Sequence, residues 1–194
     1  DSSAPVARHA GVLELRLAVR QPFAGDELLA FLAERAVTGV EEAGPGWYSR
    51  TLRLPHGAGT AHLTLADAEA SGAVRCTLRL TDLRDLGAAV ERCRRLVDAD
   101  CDPEAVDAHL GGDRALAALV RRRPGLRVPG HVDGDEVAVR AVLGQQVSVS
   151  RARTLAGQLV ERYGELLPDG GGRLFPTASV LADVRPEDLP MPRS

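Results

Sequence analysis

The feature that most constrains the fold of this sequence is a change in the spacing of its apolar residues near residue 80. Before that point, apolar and polar residues alternate along 11–19, 47–54 and 60–80. After it, apolar residues recur at intervals of three and four, as in 86–97. A period of two indicates strands, whereas intervals of three and four indicate amphipathic helices. We therefore predict an α+β protein, with an antiparallel N-terminal sheet followed by an all-α domain.

The elements can be placed along the chain from this periodicity and from capping residues. One helix interrupts the strands at 25–37, where Asp26 can serve as N-cap. Asp102 and Pro103 mark the start of another helix. We predict strands at 11–19, 47–54, 60–68 and 71–80 with a short one at 40–43, and helices at 25–37, 81–100, 101–112, 113–125, from about 133 and at 148–163. The expected domains are 11–100 and 101–194, and residues 1–10 are expected to be a linker or a terminal edge.

Composition excludes several classes of function. With 194 residues, 44% of them hydrophobic, the chain can bury a real core. It has no apolar run of the ~18 residues that a membrane span requires. All 24 basic residues are arginine, so no lysine is present to form a Schiff base. The three cysteines form no CxxC and the five histidines are scattered, so we expect buried thiols and no metal site or cofactor.

Charge is distributed unevenly along the sequence. Residues 64–107 hold ten carboxylates against six arginines, whereas residues 114–162 hold nine arginines against four carboxylates. A basic half beside an acidic half is compatible with one surface that meets a polyanion, although solvated arginine faces are common.

The stretch VRAVLGQQVSVSRA, residues 139–152, places two glutamines at the junction of two helical patterns. The first pattern is apolar nearly all round, which predicts a buried helix. Ser148 or Ser150 can cap the second helix, whose N-terminal amides favour a phosphate, and Arg151 adds positive charge beside them. Gln145 and Gln146 could contact DNA bases, or they could simply satisfy the two helix ends.

Several segments resemble one family in order and spacing: ELLAFLAERAVTGVEE, WYSRTL, DPEAVDAHLG, RPGLRVPG, VRAVLGQQVSV and FPT. They are similar to 3-methyladenine DNA glycosylase II, the alkylation-repair members of the helix-hairpin-helix superfamily. The resemblance covers almost everything from about residue 11 to residue 194. It implies a TATA-binding-protein-like N-terminal sheet with two helices, followed by the first part of a helical glycosylase domain.

The resemblance also implies a role for particular residues. Such enzymes rotate an alkylated base out of double-stranded DNA into a pocket, and a side chain fills the vacated space. Gln146 stands at the family's wedge position, after Gln145. Phe31 and Arg35 match pocket-facing positions, although core packing for Phe31 and a solvated charge for Arg35 are the structural alternatives. Ser148 and Arg151 are the expected contacts to the DNA backbone.

The sequence also departs from the family's pattern. The glycine-rich hairpin, the catalytic aspartate and the pocket tryptophans are expected beyond Ser194, so the predicted fold is truncated before the helix-hairpin-helix. The parent enzyme is expected to cleave the N-glycosidic bond of alkylated purines through an oxocarbenium-like state, without strand cleavage. The 194-residue chain alone is expected to be inactive.

Two other functions remain open on the sequence alone. One is an oxidised-purine glycosylase of the same superfamily, and the other is a non-catalytic DNA-binding or scaffold module. We expect a monomeric bacterial protein in the cytoplasm, associated with the nucleoid, and a fusion to another alkylation-response domain is compatible with the sequence.

Overall fold

A computed structural model describes residues 11–190 of the chain, so the linker predicted for residues 1–10 lies outside the described residues. The strands are β1 (Gly11–Ala18), β2 (Glu41–Gly44), β3 (Trp47–Arg53), β4 (Ala58–Thr64), β5 (Ala73–Leu80), β6 (Glu165–Leu166) and β7 (Arg173–Leu174). The α-helices are α1 (Gly25–Arg35), α2 (Ala68–Ser71), α3 (Leu86–Leu96), α4 (Pro103–Gly111), α5 (Ala117–Arg122), α6 (Gly134–Leu143), α7 (Val149–Tyr163) and α8 (Ala178–Ala182). Short 3-10 turns occupy Leu83–Asp85 and Pro186–Asp188. Among these described helices, none has the length and apolar character needed to cross a bilayer.

The first five strands form one sheet in the order β1-β5-β4-β3-β2. Every neighbouring pair in it is antiparallel. The period-two alternation explains the burial of this sheet: in β5, Val74, Cys76 and Leu78 are buried, whereas Arg75 and Arg79, at alternate positions, are exposed. Apolar residues of α1 and α3 belong to the same core, including Leu28 and Cys93. The prediction of an α+β fold with an antiparallel sheet is confirmed.

A second apolar cluster ties the later helices to the N-terminal half. Val37 and Val40, which lie between α1 and β2, pack with Leu155 and Leu159 of α7 and with Phe175. The last residue of α6, Leu143, belongs to the same cluster. Helices α6 and α7 therefore pack against the segment that connects α1 with β2. The division into domains at residue 100 stays a prediction.

Several boundaries differ from the sequence prediction. The strand predicted at 60–68 ends at Thr64, and helix α2 follows, because the alanine-rich stretch 66–70 favours a helix and Gly72, with φ +65°, ends it. Asp26 lies inside the first turn of α1, whose N-cap is Ala24. The helix predicted at 113–125 is limited to α5. The predicted all-α half also contains the small antiparallel ribbon β6–β7.

The prediction that α6 is buried all round is wrong. Val137 is 42% exposed and Val142 is 59% exposed, while the buried residues of α6 are Glu136 and Leu143. An apolar run indicates a tendency to be buried but does not specify which neighbours cover each face. Among the described residues, α6 is covered where it meets the sheet, α7 and the start of α8, whose Ala178 N–H donates to Oδ2 of Asp135 at 2.9 Å, and its exposed valines lie outside these contacts.

Candidate functional site

The glutamine junction, Gly144 to Ser148, connects α6 and α7. The hydrogen bonds at the end of α6 and the start of α7 do not involve the glutamine side chains. At the end of α6, the Gly144 N–H donates to the carbonyl of Arg140 at 2.9 Å, and the Gln145 N–H donates to that of Val142 at 3.1 Å. At the start of α7, the Ser148 Oγ accepts from the N–H of Arg151 at 3.2 Å. Of the two caps considered from the sequence, Ser148 is therefore the one that forms.

Gln146 has an unusual backbone conformation for a residue with a side chain. Its φ is +59°, in the left-handed region, which costs an L-residue roughly 1–2 kcal/mol. Gln145 and Gln146 are both exposed, and within residues 11–190 neither amide side chain makes a hydrogen bond. The alternative that these glutamines satisfy the helix ends is therefore not supported. Strained backbone of this kind concentrates at functional sites.

Phe31 and Arg35 form a pair on the surface of α1. The guanidinium carbon of Arg35 lies 3.7 Å from the centroid of the Phe31 ring, a cation–π contact. Phe31 is 42% exposed, so the alternative that it is an ordinary core residue is wrong. Arg35 also donates to Oε2 of Glu34 at 2.6 Å, which holds the guanidinium in place beside the ring.

Two open cavities adjoin the α1–α6–α7 contact. The junction cavity, about 300 Å³, is lined by Arg35, Val37, Val137, Arg140, Ala141, Gly144, Val147, Val149, Ala152, Arg153 and Ala156. The ionic cavity, about 270 Å³, is lined by Phe31, Leu32, Arg35, Glu41, Arg50, Leu96, Pro129, Gly130, His131, Val132, Asp133, Glu136, Val137 and Arg140. Arg35, Val137 and Arg140 border both. The structure thus places Arg35 beside residues that flank the glutamines, with Phe31 in the adjoining cavity.

A buried ionic cluster of Glu41, Arg50, Glu136 and Arg140 forms the polar wall of the ionic cavity. Arg50 donates to Oε2 of Glu136 at 2.6 Å and to Oε1 of Glu41 at 3.1 Å. Arg140 donates to Oε2 of Glu41 at 3.0 Å and to Oε1 of Glu136 at 2.8 Å. The Tyr48 hydroxyl donates to Oε1 of Glu41 at 2.5 Å. The cluster therefore joins β2 and β3 to α6 through two carboxylates shared by two guanidinium groups.

The electrostatics of this cluster keep both arginines charged and the tyrosine neutral. Burial favours the neutral form of Arg50, but Tyr48, Glu136 and Glu41 together raise the pKa of Arg50 above its ordinary value. Burial likewise opposes the charge of Arg140, and Glu41 and Glu136 outweigh it, so the pKa of Arg140 is raised. Burial, together with the hydrogen bond to Glu41, raises the pKa of the Tyr48 hydroxyl well above its usual range.

The sequence analysis missed this cluster. Glu136 and Arg140 are four residues apart on one helix, a spacing that usually indicates an exposed surface pair. Glu41 and Arg50 lie on separate strands, and only the register of β2 against β3 places them opposite each other. The one available signal was a glutamate and an arginine within a helix whose other residues are mostly apolar.

Ser148 and Arg151 lie at the exposed start of α7. The Ser148 Oγ accepts a hydrogen bond from the helix, and its hydroxyl hydrogen has no acceptor among the described residues. The Arg151 side chain makes no ion pair within residues 11–190, whereas Arg153 donates to the carbonyl of Glu34 at 3.3 Å. A helix N-terminus with an available hydroxyl and an unpaired guanidinium is suited to an anion.

The carboxylates that border the two cavities already hold protein groups. Glu41 and Glu136 each pair with both arginines of the cluster. Asp133 accepts from the N–H of Glu136 at 3.0 Å as the N-cap of α6. Each of the three therefore already holds a protein group, and within residues 11–190 no cluster of three or more potential metal ligands occurs.

Comparisons with known proteins bear on this arrangement. The family model described as "AlkA N-terminal domain" matches residues 14–133. A Mycobacterium tuberculosis (strain H37Rv) protein called "Probable bifunctional transcriptional activator/DNA repair enzyme AlkA" is 49% identical over 188 residues, which are 95% of this chain and 37% of that protein. "DNA-3-methyladenine glycosylase 2" of Escherichia coli K12 is 34% identical over 180 residues, which are 87% of this chain and 57% of that protein. The chain thus spans between about a third and three fifths of these relatives.

Solved structures share the fold at low sequence identity. A 3-methyladenine DNA-glycosylase from Archaeoglobus fulgidus matches with a TM-score of 0.67 and 20% identity, over 88% of this chain and 57% of that one. A structure titled "Structure of MBOgg1 in complex with low affinity DNA ligand" matches with a TM-score of 0.63 and 15% identity, over 92% of this chain and 56% of that one.

Proposed function

The chain belongs to the AlkA N-terminal domain family, and from that premise we propose that the protein carrying it acts in base-excision repair of alkylated DNA. The proposed reaction is hydrolysis of the N-glycosidic bond of alkylated purines of the 3-methyladenine type, after the base has been rotated out of the duplex. The names of the M. tuberculosis and E. coli relatives support this assignment of repair and glycosylase activity.

The observation that carries the proposal is the conformation of the glutamine junction. Gln146 has a left-handed backbone, is exposed and has no intramolecular partner for its amide within residues 11–190. We propose that Gln146 is the wedge that enters the DNA and that Gln145 supports it. A glutamine gives up some apolar contact with the neighbouring bases and gains hydrogen bonds to the base left without its partner.

The surrounding residues take supporting roles in this proposal. Phe31 offers an aromatic face for an electron-poor alkylated purine, and Arg35 borders both cavities beside it. Ser148 and Arg151, at the N-terminus of α7, would bind a phosphate of the DNA backbone. Double-stranded DNA with alkylated bases is the proposed partner, met by a monomer at the bacterial nucleoid.

The proposed hydrolysis needs a carboxylate that stabilises positive charge on the sugar and orients a water. The carboxylates bordering the two cavities are occupied by arginines or by a helix cap. We therefore propose the reaction for the longer protein and expect no base release from the 194-residue chain alone. Release of methylpurine by that chain would contradict this.

The test is release of methylated purines from alkylated duplex DNA by the full-length protein. We expect Gln146→Ala to lower kcat/KM by roughly tenfold to a hundredfold, since the wedge offsets part of an unstacking cost of about a few kcal/mol. Gln158→Ala, on the middle of α7, is the matched control and should keep kcat/KM close to that of the wild type. Equal values for all three proteins would refute the wedge.

The same assay separates the alternative functions. Preferential release of an oxidised purine would instead support the oxidised-purine glycosylase. Duplex binding with a steep salt dependence but no release of either base would support a non-catalytic DNA-binding module.

A further inference from the structure

The buried ionic cluster holds more charge than stability alone explains. Glu41, Glu136 and Arg50 are buried and Arg140 is partly exposed. Burying an ion costs several kcal/mol, and apolar side chains of similar volume often stabilise a protein as well or better. Buried ion pairs are best attested where they fix one geometry among several. The cluster therefore fixes the relative position of the elements that its side chains connect.

Arg140 is the member of the cluster that also hydrogen-bonds to α1. Its guanidinium contacts Glu41 at the start of β2 and Glu136 on its own helix. Its Nη2 also donates to the carbonyl of Arg35 at 2.8 Å. Arg35 is the last residue of α1, where carbonyls lack helical partners and a positive charge is favourable. Arg140 thus closes the end of the helix that carries the Phe31–Arg35 pair.

The backbone of the same residue leads into the glutamine junction. The Arg140 carbonyl accepts from the N–H of Gly144 at 2.9 Å, which is the bond that ends α6 immediately before Gln145. One residue therefore connects the Phe31–Arg35 pair, through its side chain, with the start of the junction, through its carbonyl. It also lines both cavities.

We propose that Arg140 is a positioning residue that fixes Gln146 relative to the Phe31–Arg35 pair. This inference rests on the proposed function, because it assigns Arg140 a role in placing the wedge. A left-handed glutamine persists only where the surroundings hold it, and a wedge must be rigid at the moment the base leaves the stack. Arg140 supplies that rigidity by anchoring α6 to α1 and β2 one turn before the junction.

Arginine suits this role in a way that lysine does not. The guanidinium directs two separate nitrogens, Nη1 to the two carboxylates and Nη2 to the Arg35 carbonyl. Lysine keeps the charge and pairs with the carboxylates, but a single nitrogen cannot reproduce the fork. The substitution Arg140→Lys should therefore loosen the link to α1 while leaving the buried charges neutralised.

The experiment is a double-mutant cycle in the full-length protein with Arg140→Lys, Gln146→Ala and both changes together. The measured quantity is discrimination, meaning the Kd for an ordinary duplex divided by the Kd for a duplex with a stable abasic analogue. Fluorescence of a 2-aminopurine beside that analogue reports unstacking. We expect Arg140→Lys to lower discrimination about tenfold in the wild-type background and to have no further effect in Gln146→Ala, because coupled residues are not additive.

A matched variant separates positioning from lost stability. Asp85 is a buried carboxylate outside both cavities that accepts from the His56 N–H at 3.1 Å. Asp85→Asn should lower the unfolding midpoint and leave discrimination unchanged, whereas Arg140→Lys should lower discrimination even in fully folded samples. Unfolding midpoints of all variants are measured in the same buffer.

The positioning role of Arg140 and the wedge role of Gln146 can fail separately. If Gln146→Ala lowers discrimination but Arg140→Lys does not, or if the two losses multiply, Arg140 is structural only and this inference alone fails. If Gln146→Ala itself has no effect, the wedge fails and the positioning role fails with it.

Discussion

At the scale of the residue, the buried ionic cluster shows how far single positions are interpretable from sequence. The glutamines and Ser148 could be singled out because they are neighbours in the chain, and Phe31 and Arg35 because they match positions of the family that the sequence resembles. Glu41 and Arg140 are 99 residues apart, and nothing local connects them. Their pairing is a consequence of how α6 docks on the sheet, so it becomes visible only once the fold is known.

The first prediction concerns how much Arg50 contributes to the free energy of unfolding through this cluster. Arg50→Met leaves Glu41 and Glu136 sharing only Arg140 in a buried site, which should lower the free energy of unfolding by about 3–5 kcal/mol. Arg75→Met, which removes an exposed pair with Asp67, is the control and should have little effect. Urea unfolding of both variants measures the difference. Equal effects would show that the cluster contributes no more than a surface pair.

The second prediction concerns alkaline pH. The pKa of Tyr48 is raised in the folded protein, so the folded state holds that proton at a pH where the unfolded state, with a pKa of about 10, has lost it. The contribution of Tyr48 is therefore fully present below about pH 10 and is lost as pH rises towards the folded pKa. We expect the unfolding free energy of the wild type to fall as pH rises from about 10 to about 12, at up to about 1.4 kcal/mol per pH unit from this group.

The matched variants isolate the tyrosine. Tyr48→Phe should flatten the decline in unfolding free energy over that pH interval, whereas Tyr163→Phe, at the partly exposed second tyrosine, should leave it unchanged. The chain has no lysine to titrate in this range, and its three cysteines are common to all three proteins, so a difference between the variants reports the tyrosine. An identical pH profile for Tyr48→Phe and the wild type would contradict the assignment.

At the scale of the element, the sequence predicts the type of most elements but not which faces are covered. The period-two strands and the capped helices α4, α6 and α7 begin close to their predicted positions, because Asp102, Asp133 and Ser148 supply local hydrogen bonds to the first turn. The burial of α6 was wrong because a valine-rich run does not encode its neighbours. The same limit applies to 60–68, where a short helix replaces the end of the predicted strand.

A third prediction belongs to helix α7. Ser148→Ala removes the cap bond to the Arg151 N–H and should cost about 1 kcal/mol of stability. Ser150→Ala, two residues later and inside the first turn of α7, is the matched control and should be nearly neutral. Thermal unfolding compares the two variants. A larger effect of Ser150→Ala would mean that the cap has been assigned to the wrong serine.

At the scale of the whole molecule, the second apolar cluster and the ionic cluster both connect the first half of the chain with α6 and α7. Val37 and Val40 share a core with α7, and Glu41 and Arg50 pair with α6. The periodicity predicted the two halves from their own patterns, but the contact between them depends on side chains far apart in sequence. The candidate site lies along that contact, which is why its polar wall could not be predicted.

A fourth prediction follows from the uneven charge of the molecule. Arg151→Gln removes an exposed guanidinium at the start of α7 and should weaken binding of the full-length protein to all duplexes, with or without a lesion, to a similar degree. The slope of log K against log salt should fall by about one. Arg75→Gln, in the acidic half, is the control. If Arg151→Gln left the slope unchanged, its proposed contact with the DNA backbone would be wrong.

The most direct measurement of the central claim is a site-specific cross-link between residue 146 and damaged DNA. The full-length protein carrying Gln146→Cys would be mixed with a duplex that has a disulfide-tethered nucleotide opposite a stable abasic analogue. All proteins would carry Cys101→Ser, which removes the one partly exposed cysteine of the described residues and leaves the buried Cys76 and Cys93. The account predicts an efficient cross-link at position 146 and none with Glu69→Cys, at an exposed residue of α2, or with Gln146 unchanged. Equal cross-linking of Gln146→Cys and Glu69→Cys, or none at position 146, would contradict the claim that the glutamine junction enters the DNA.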